Sequence, residues 1–441
     1  MISKSSKILV AMAAVFASNS AMASGYGVKL QSGYTAGMAN AGSGVSDDAL
    51  AIYANPAAMI QATTHQIAGH FTGVFGNTKF RGSNSTTGVV APNGALVPGA
   101  INETGSTRNA AKKVAVPSFG VIANAHDRLK VGVMVHAPFG LKFNYGNNSI
   151  TRAHSTRAEM TTINILPSFA LKIIDSLAFG AGLQMQYSKV ELARKYSLTN
   201  TNIPTTVTGS TYTNIGGRDW SMGWTAGLYA KLSNAWKVGF SYKSKMIANL
   251  DGNGEAVVGG NPVSTFKAEA KVRYPHIFTL SSSYDINCAW TVLADVIYTR
   301  WDAVKDISIR SHLSTGQSTD VIPLNWKNSW FFAAGVNYRL NDSLSFRFGY
   351  AYDMAPSRTA TRVASIPDSN KHWIATGATY NVSKAASLTI SYGHEFFQKG
   401  KINLQPGAQT AANAGTFNKG ALVGKVHNSV DLVSVQFNYK F

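Results

Sequence analysis

Residues 433–441 read Val433-Ser434-Val435-Gln436-Phe437-Asn438-Tyr439-Lys440-Phe441, and this stretch decides the fold. Val433, Val435, Phe437, Tyr439 and Phe441 fall on one side of an extended chain, with Ser434, Gln436, Asn438 and Lys440 on the other. A period of two belongs to a strand and not to a helix. In a small soluble sandwich the apolar side would face a core. Here the pattern recurs too often along the chain, and ends too consistently in aromatics, for one small core. A stripe of about 9–11 residues with aromatics at its ends has the length and girdle of a strand that crosses a membrane.

Working back along the chain, Leu344, Phe346, Phe348, Tyr350 and Tyr352 alternate with Ser345, Arg347, Gly349, Ala351 and Asp353. Leu177, Phe179, Ala181, Leu183, Met185 and Tyr187 alternate with small or polar residues, and Trp220, Met222, Trp224, Ala226, Leu228 and Ala230 form a further stripe. The opposite stripes suit a polar barrel interior. Six tight turns (124–127, 174–176, 233–235, 285–287, 340–342 and 383–385) separate seven long stretches near 79–112, 139–157, 193–217, 251–266, 304–327, 355–370 and 401–427. With both chain ends on the short-turn side, these predict an all-β fold, a 14-stranded antiparallel transmembrane β-barrel. Closure satisfies every backbone N–H and C=O where lipid offers no partner.

Composition excludes the alternatives. The 441 residues are 45% apolar and 14% charged, with a mean hydropathy of −0.03. The longest apolar run, Ile8 to Ala17, is too short for a spanning helix, which needs about 18 or more residues. An aromatic content of 11% argues against disorder, and the single Cys288 excludes a disulfide scaffold.

Lys4 and Lys7, the apolar run, and Ala21-Met22-Ala23 form the three parts of a signal peptide cleaved after Ala23. Its removal would lower the formal charge from +19 to +17, the difference being those two lysines. Ser24 to Thr64 is rich in Gly and Ala and lacks membrane-length alternation. It reads either as a periplasmic tail or as a plug folded into the lumen, where small residues permit close packing against the wall. The expected organisation is a signal peptide at 1–23, an N-terminal hatch at 24–64 and a barrel at 65–441.

These residues resemble the outer-membrane long-chain fatty acid and hydrocarbon transporters (FadL/TodX-like). The resemblance rests on Asp47-Asp48-Ala49 and Asn55-Pro56-Ala57, Ile163 to Ala170, Gly180 to Leu183, Asp219 to Gly227 and Ser241 to Ser244. It continues through Tyr298 to Trp301, Tyr352 to Pro356 and Ile366 to Asp368. Phe441 resembles the C-terminal aromatic of outer-membrane barrels, a signal to the barrel assembly machinery. Arg300 stands where the family more often has Ser. The resemblance implies a barrel closed by an N-terminal plug in the outer membrane of a Gram-negative bacterium. It also implies passive uptake of hydrophobic molecules, released sideways through the wall, with the inward kink on the third strand. There Leu129, Val131, Val133 and Val135 run into Ala137-Pro138-Phe139-Gly140. Pro donates nothing to the ladder and Gly packs nothing, so Pro138, Phe139 and Gly140 are the expected lateral opening. Long-chain fatty acids are the expected ligands, with aromatic hydrocarbon uptake and a structural or adhesive surface barrel as the other readings.

No catalytic chemistry stands out. The ten His are scattered, none at metal-ligand spacing, and no nucleophile elbow or phosphate loop occurs. No enzyme activity, cofactor or metal is expected. The basic residues fall largely in the long stretches, which suits lipopolysaccharide phosphates better than nucleic acid. Arg339 and Arg347, on neighbouring strands, share lumen-face parity. Such charges are usually paired to plug or wall, as Asp353 would allow, or they offer a fork to a ligand carboxylate.

Overall fold

The computed structural model describes residues 24–85, 89–90, 96–97, 102–198, 209–258, 261–313, 316–405 and 420–441. The signal-peptide reading of residues 1–23 lies outside the described residues.

Alternating sequence becomes barrel wall. The strands are β1 (Gln66–Ser85), β2 (Val114–His126), β3 (Leu129–His136 and Gly140–Asn144), β4 (Arg157–Ile174) and β5 (Leu177–Leu198). There follow β6 (Gly209–Lys231), β7 (Trp236–Lys243 and Met246–Val258), β8 (Asn261–Tyr274 and His276–Asp285) and β9 (Trp290–Arg300 and Asp306–Leu313). The last are β10 (Gly316–Pro323 and Ser329–Arg339), β11 (Leu344–Asp353), β12 (Lys371–Asn381), β13 (Ala386–Phe397 and Gly400–Leu404) and β14 (Ala421–Lys440). Each pairs antiparallel with its neighbour, and β1 closes on β14 from Gln66↔Lys440 to Ser85↔Ala421, making a closed 14-strand barrel. The register places Val433, Val435 and Phe437 on the exposed outer face and Ser434 and Gln436 inside. Trp220, Trp224, Trp236, Trp290 and Trp330 are exposed, and Trp290–Tyr338 and Tyr298–Trp330 pack as cross-strand pairs at 4.5 and 4.6 Å.

Three of the long stretches are corrected. Residues within 193–217, 251–266 and 304–327 are largely strand, because β5–β6, β7–β8 and β9–β10 continue as paired hairpins. The missing cue is physical. With no apolar stripe in these extensions, backbone pairing persists with no period-two signal to betray it.

Residues 24–64 pack against the inner wall and are almost wholly buried. They carry a helical turn (Gly33–Ala36) and short 3-10 helices at Ser43–Val45, Ala49–Tyr53 and Pro56–Gln61. Wall glycines make room for them. A Cβ on Gly180 would collide with the Ala57 backbone, and one on Gly227 with the Asn55 side chain.

Candidate functional site

The site is the barrel interior, which is built where the strands break. β3 stops at His136 and resumes at Gly140, β8 is interrupted at Pro275, and β9 turns inward through a 3-10 helix at Trp301–Ala303. β10 breaks between Pro323 and Ser329. These breaks deliver Phe139, Tyr274, Trp301 and Trp326 into the lumen around Tyr26 of the N-terminal segment. Tyr26 meets Trp301 edge-on at 5.0 Å and lies 5.2 Å from Trp326 and 6.0 Å from both Phe139 and Tyr274. Phe139 and Tyr274 are 4.6 Å apart. Tyr26, Tyr274 and Trp301 are all buried, so the chamber is aromatic and shielded from solvent, with the Tyr26 hydroxyl donating to the Arg273 carbonyl. Edge-to-face packing of this kind adds about 0.5–1.5 kcal/mol per pair beyond burial.

At the β3 break the wall loses its ladder. β2 and β3 pair from His126↔Leu129 to Ser118↔His136, and the next bridge joins Ala111 to Phe143. Across this interval Val114 to Pro117 pair with β1 on their other side. Pro117, which sequence reasoning missed, carries no N–H, so this edge of β2 has one donor fewer at the gap. The kink residues find partners inward. The Val28 N–H donates to Pro138 O at 2.8 Å, the Gly140 N–H to Tyr26 O at 2.7 Å, and Gln31 Nε2 to Ala137 O at 2.8 Å. Phe139 N donates to Thr162 Oγ1 at 3.0 Å. The N-terminal segment therefore occupies the aromatic chamber and also takes the backbone bonds that a regular wall would make.

Side chains bolt that segment in place. Asn55, fully buried, donates to Gly44 O (3.0 Å) and Leu228 O (2.9 Å) and accepts from Ala57 N (3.1 Å), capping the helix that Pro56 starts. Asp48 caps the preceding helix through Leu50 N (2.8 Å) and accepts from Gln436 Nε2 (3.0 Å). Asp47 points outward, its carboxylate 3.8 Å from Lys440 Nζ. Two anchors had no motif to announce them. Gln436 Oε1 accepts from Ser32 Oγ (2.9 Å) and Tyr34 N (3.1 Å), and Asp295 accepts from Gly42 N (2.8 Å) and Ser43 N (3.1 Å). Their lumen-face parity was readable; their pairing with the segment was not.

Above these lies a buried ion cluster. Asp353 accepts from Lys29 at 3.1 Å, lies 3.5 Å from Lys371, and takes the Ser24 hydroxyl; Lys371 is 3.7 Å from Glu395. Asp368, in the segment after β11, accepts from Gly25 N at 2.8 Å, and burial pushes its carboxyl up to about 6.

The two arginines part company. Arg347 is buried under the Tyr34 ring at 3.8 Å and donates to Thr379 Oγ1 at 2.6 Å. Arg339 is exposed beside Asn234, Ala235 and Asp285 among the tight turns. Neither lines the cavity at the kink. That cavity, with a volume of about 40 Å³, is bounded by Pro138, Phe139, Ile277, Trp301, Tyr53 and Lys243. Phe441 stacks on His65 at 5.6 Å and donates its N–H to His65 O, where the barrel closes.

The sequence model of the family described as "Outer membrane protein transport protein (OMPP1/FadL/TodX)" matches residues 14–441. A long-chain fatty acid transport protein of Escherichia coli O6:H1 is 22% identical over 432 residues, covering 91% of this chain and 93% of that one. A putative outer membrane protein of Neisseria meningitidis serogroup B is 25% identical over 476 residues, covering 99% and 98%. The crystal structure of a Pseudomonas aeruginosa FadL homologue superposes with a TM-score of 0.82 at 21% identity, covering 95% of this chain and all of that one. With the closed barrel, the inward kink and a family match over nearly the whole length in hand, this chain belongs to the OMPP1/FadL/TodX family of transport proteins of the Gram-negative outer membrane.

Proposed function

We propose that this chain is a passive channel for long-chain fatty acids or similar hydrophobic compounds, which leave sideways through the wall between β2 and β3. The observation that carries the reading is the interrupted ladder between Ser118↔His136 and Ala111↔Phe143, its kink held by residues 26–31 and by the Thr162 side chain of β4 instead of by β2. Energetics favour that route. Burying a methylene is worth about 0.8 kcal/mol, so an acyl chain of about fifteen methylenes would lose about 12 kcal/mol on entering the watery periplasm. A side exit passes the chain from aromatic chamber to bilayer without that step. Residues 24–64 act as the hatch. A ligand that takes the place of Tyr26 among the four rings also pulls on Val28 and Gly140, and so frees the kink. The long-chain fatty acid transport proteins among the relatives support the ligand class. The outward basic loops meet lipopolysaccharide, and Phe441 is read by the barrel assembly machinery. Aromatic hydrocarbon uptake is the second reading, favoured by the ring-lined chamber.

Replacing Pro138 and Gly140 together with Val supplies a donor and two strand formers. Uptake of labelled oleate should fall sharply while barrel folding and surface binding persist. Transport at the wild-type rate by the folded double variant would refute the exit at these residues. Toluene uptake alongside oleate separates the two ligand classes.

A further inference from the structure

The breaks that turn Trp301 inward also shape the outer face. β7 breaks at Ser244 and Lys245, β8 at Pro275 and β9 at Trp301, on three neighbouring strands. Three bases gather on the lipid-facing side of that line. His276 pairs across the ladder with Arg300, and the Lys245 N–H donates to His276 Nδ1 at 3.3 Å. Just below, Trp224, Tyr242, Phe278, Tyr298 and Trp330 form a continuous belt from β6 to β10, with successive rings 4.8, 5.0, 6.2 and 4.6 Å apart. From Trp290 to Arg300 β9 has 11 residues. At about 3.3 Å per step and a tilt of about 40°, they rise about 25 Å, the height of the apolar band of such a barrel. The bases therefore lie at the rim of the outer leaflet, where lipid phosphates sit. Local acids do not neutralise them. Among the described residues Lys245 has no ion-pair partner. Arg300 makes one contact, to Asp302 Oδ2 at 3.1 Å, with both side chains about half exposed. A pair in that setting contributes little, and the guanidinium keeps further donors. His276 Nδ1 accepts from Lys245 and lies 2.7 Å from the Tyr242 hydroxyl, so Nε2 carries the proton of the neutral ring.

We propose that Lys245, His276 and Arg300 bind a phosphate of lipid A, the phosphorylated glycolipid of the outer leaflet, with its acyl chains against the aromatic belt. The proposal rests on the reading above that outward bases meet lipopolysaccharide, and it locates a defined site on the wall instead of in the loops. Charge and level together select this occupant. A phosphoglycolipid brings a phosphate to the rim and several acyl chains to the band beneath it, whereas a soluble anion has no use for the belt. Arg300 offers a fork to the phosphate oxygens, Lys245 a point charge and His276 a single N–H. Arg300 is followed directly by Trp301, so the lipid site and the aromatic chamber lie on opposite faces of one turn.

The test measures binding of lipid A, and of the same lipid stripped of its phosphates, to the purified full-length protein in detergent. Wild type should prefer the phosphorylated lipid by about tenfold or more, the gain expected from charge-assisted contacts. Combining Lys245→Gln with Arg300→Gln should cut that preference to within about twofold and leave binding of the stripped lipid unchanged. An undiminished preference in the double variant would overturn the site. Phosphatidylglycerol bound by wild type as tightly as lipid A would overturn the assignment to lipid A, since any anionic lipid would then do. If the double variant fails to fold, Lys245→Gln and Arg300→Gln are measured singly, with a loss of about threefold or more expected from each and no loss from either counting against the site. Lys399 and Lys401, exposed and remote in sequence, separate this site from the loops. A preference lost in Lys399→Gln with Lys401→Gln, yet kept in the Lys245 and Arg300 variant, sinks this site and leaves the loop reading standing. A wild-type protein with no preference for the phosphorylated lipid sinks both.

Discussion

Asn55→Ala is the sharpest test of the hatch. Asn55 makes three hydrogen bonds, to Gly44 O, Leu228 O and Ala57 N, and one of them crosses from the N-terminal segment to the β6 wall. Each is worth about 1 kcal/mol net, and more where a buried partner is left unpaired. The substitution should therefore cost the seated segment about 3 kcal/mol, a roughly 150-fold shift toward unseated states, since 1.4 kcal/mol is tenfold. The barrel ladder is untouched, so heat-modifiable mobility on gels should be unchanged. Single-channel recording in planar bilayers reads the hatch directly. Asn55→Ala should show frequent conducting bursts where wild type is quiet, and deletion of residues 24–64 should give a steadily open pore. If the folded variant and the deletion are both as silent as wild type, residues 24–64 do not close the lumen.

Two further outcomes follow from particular contacts. Deleting Phe441 removes its stack on His65 and its N–H bond to His65 O at the β1–β14 seam; protein should accumulate unassembled in the periplasm, and normal outer-membrane barrel in a fractionation assay would count against the role. Burial raises the Asp368 carboxyl to about 6, above its ordinary value of 3.8, so the folded state binds the extra proton between those values. Its contribution to stability is fully present below about pH 4 and is lost as pH rises through about 6. Asp368→Asn should flatten that part of the unfolding-midpoint profile, and an identical slope in variant and wild type would refute the assignment.

Period-two alternation was legible wherever one face meets lipid, because an apolar stripe there is obligatory. Val433 to Phe441 and Leu344 to Tyr352 read as strands for that reason, and the six tight turns and seven long stretches set the count of fourteen. The hairpin extensions of β5–β10 were not legible, since water on both faces leaves no pattern. Pro138 and Gly140 announced a break, but what the break does depends on Tyr26 and Val28, more than a hundred residues away in sequence. Trp301 and Trp326 look like ordinary girdle residues until the breaks in β9 and β10 turn them inward. Arg347 and Lys243 share lumen-face parity, and sequence gave no means to separate them. Tertiary packing covers Arg347 with Tyr34 and Thr379 and leaves Lys243 beside the cavity.

The exit route is the central claim, and photo-crosslinking with a fatty acid that carries a diazirine at its tail tests it most directly. After uptake by intact cells, the adducts on this chain are mapped by mass spectrometry. The account predicts labels on the residues that flank the broken ladder, Val116, Pro117, Pro138 and Phe139. Labels concentrated instead on the periplasmic turns at 232–235 and 286–289, with none at the gap, would contradict it.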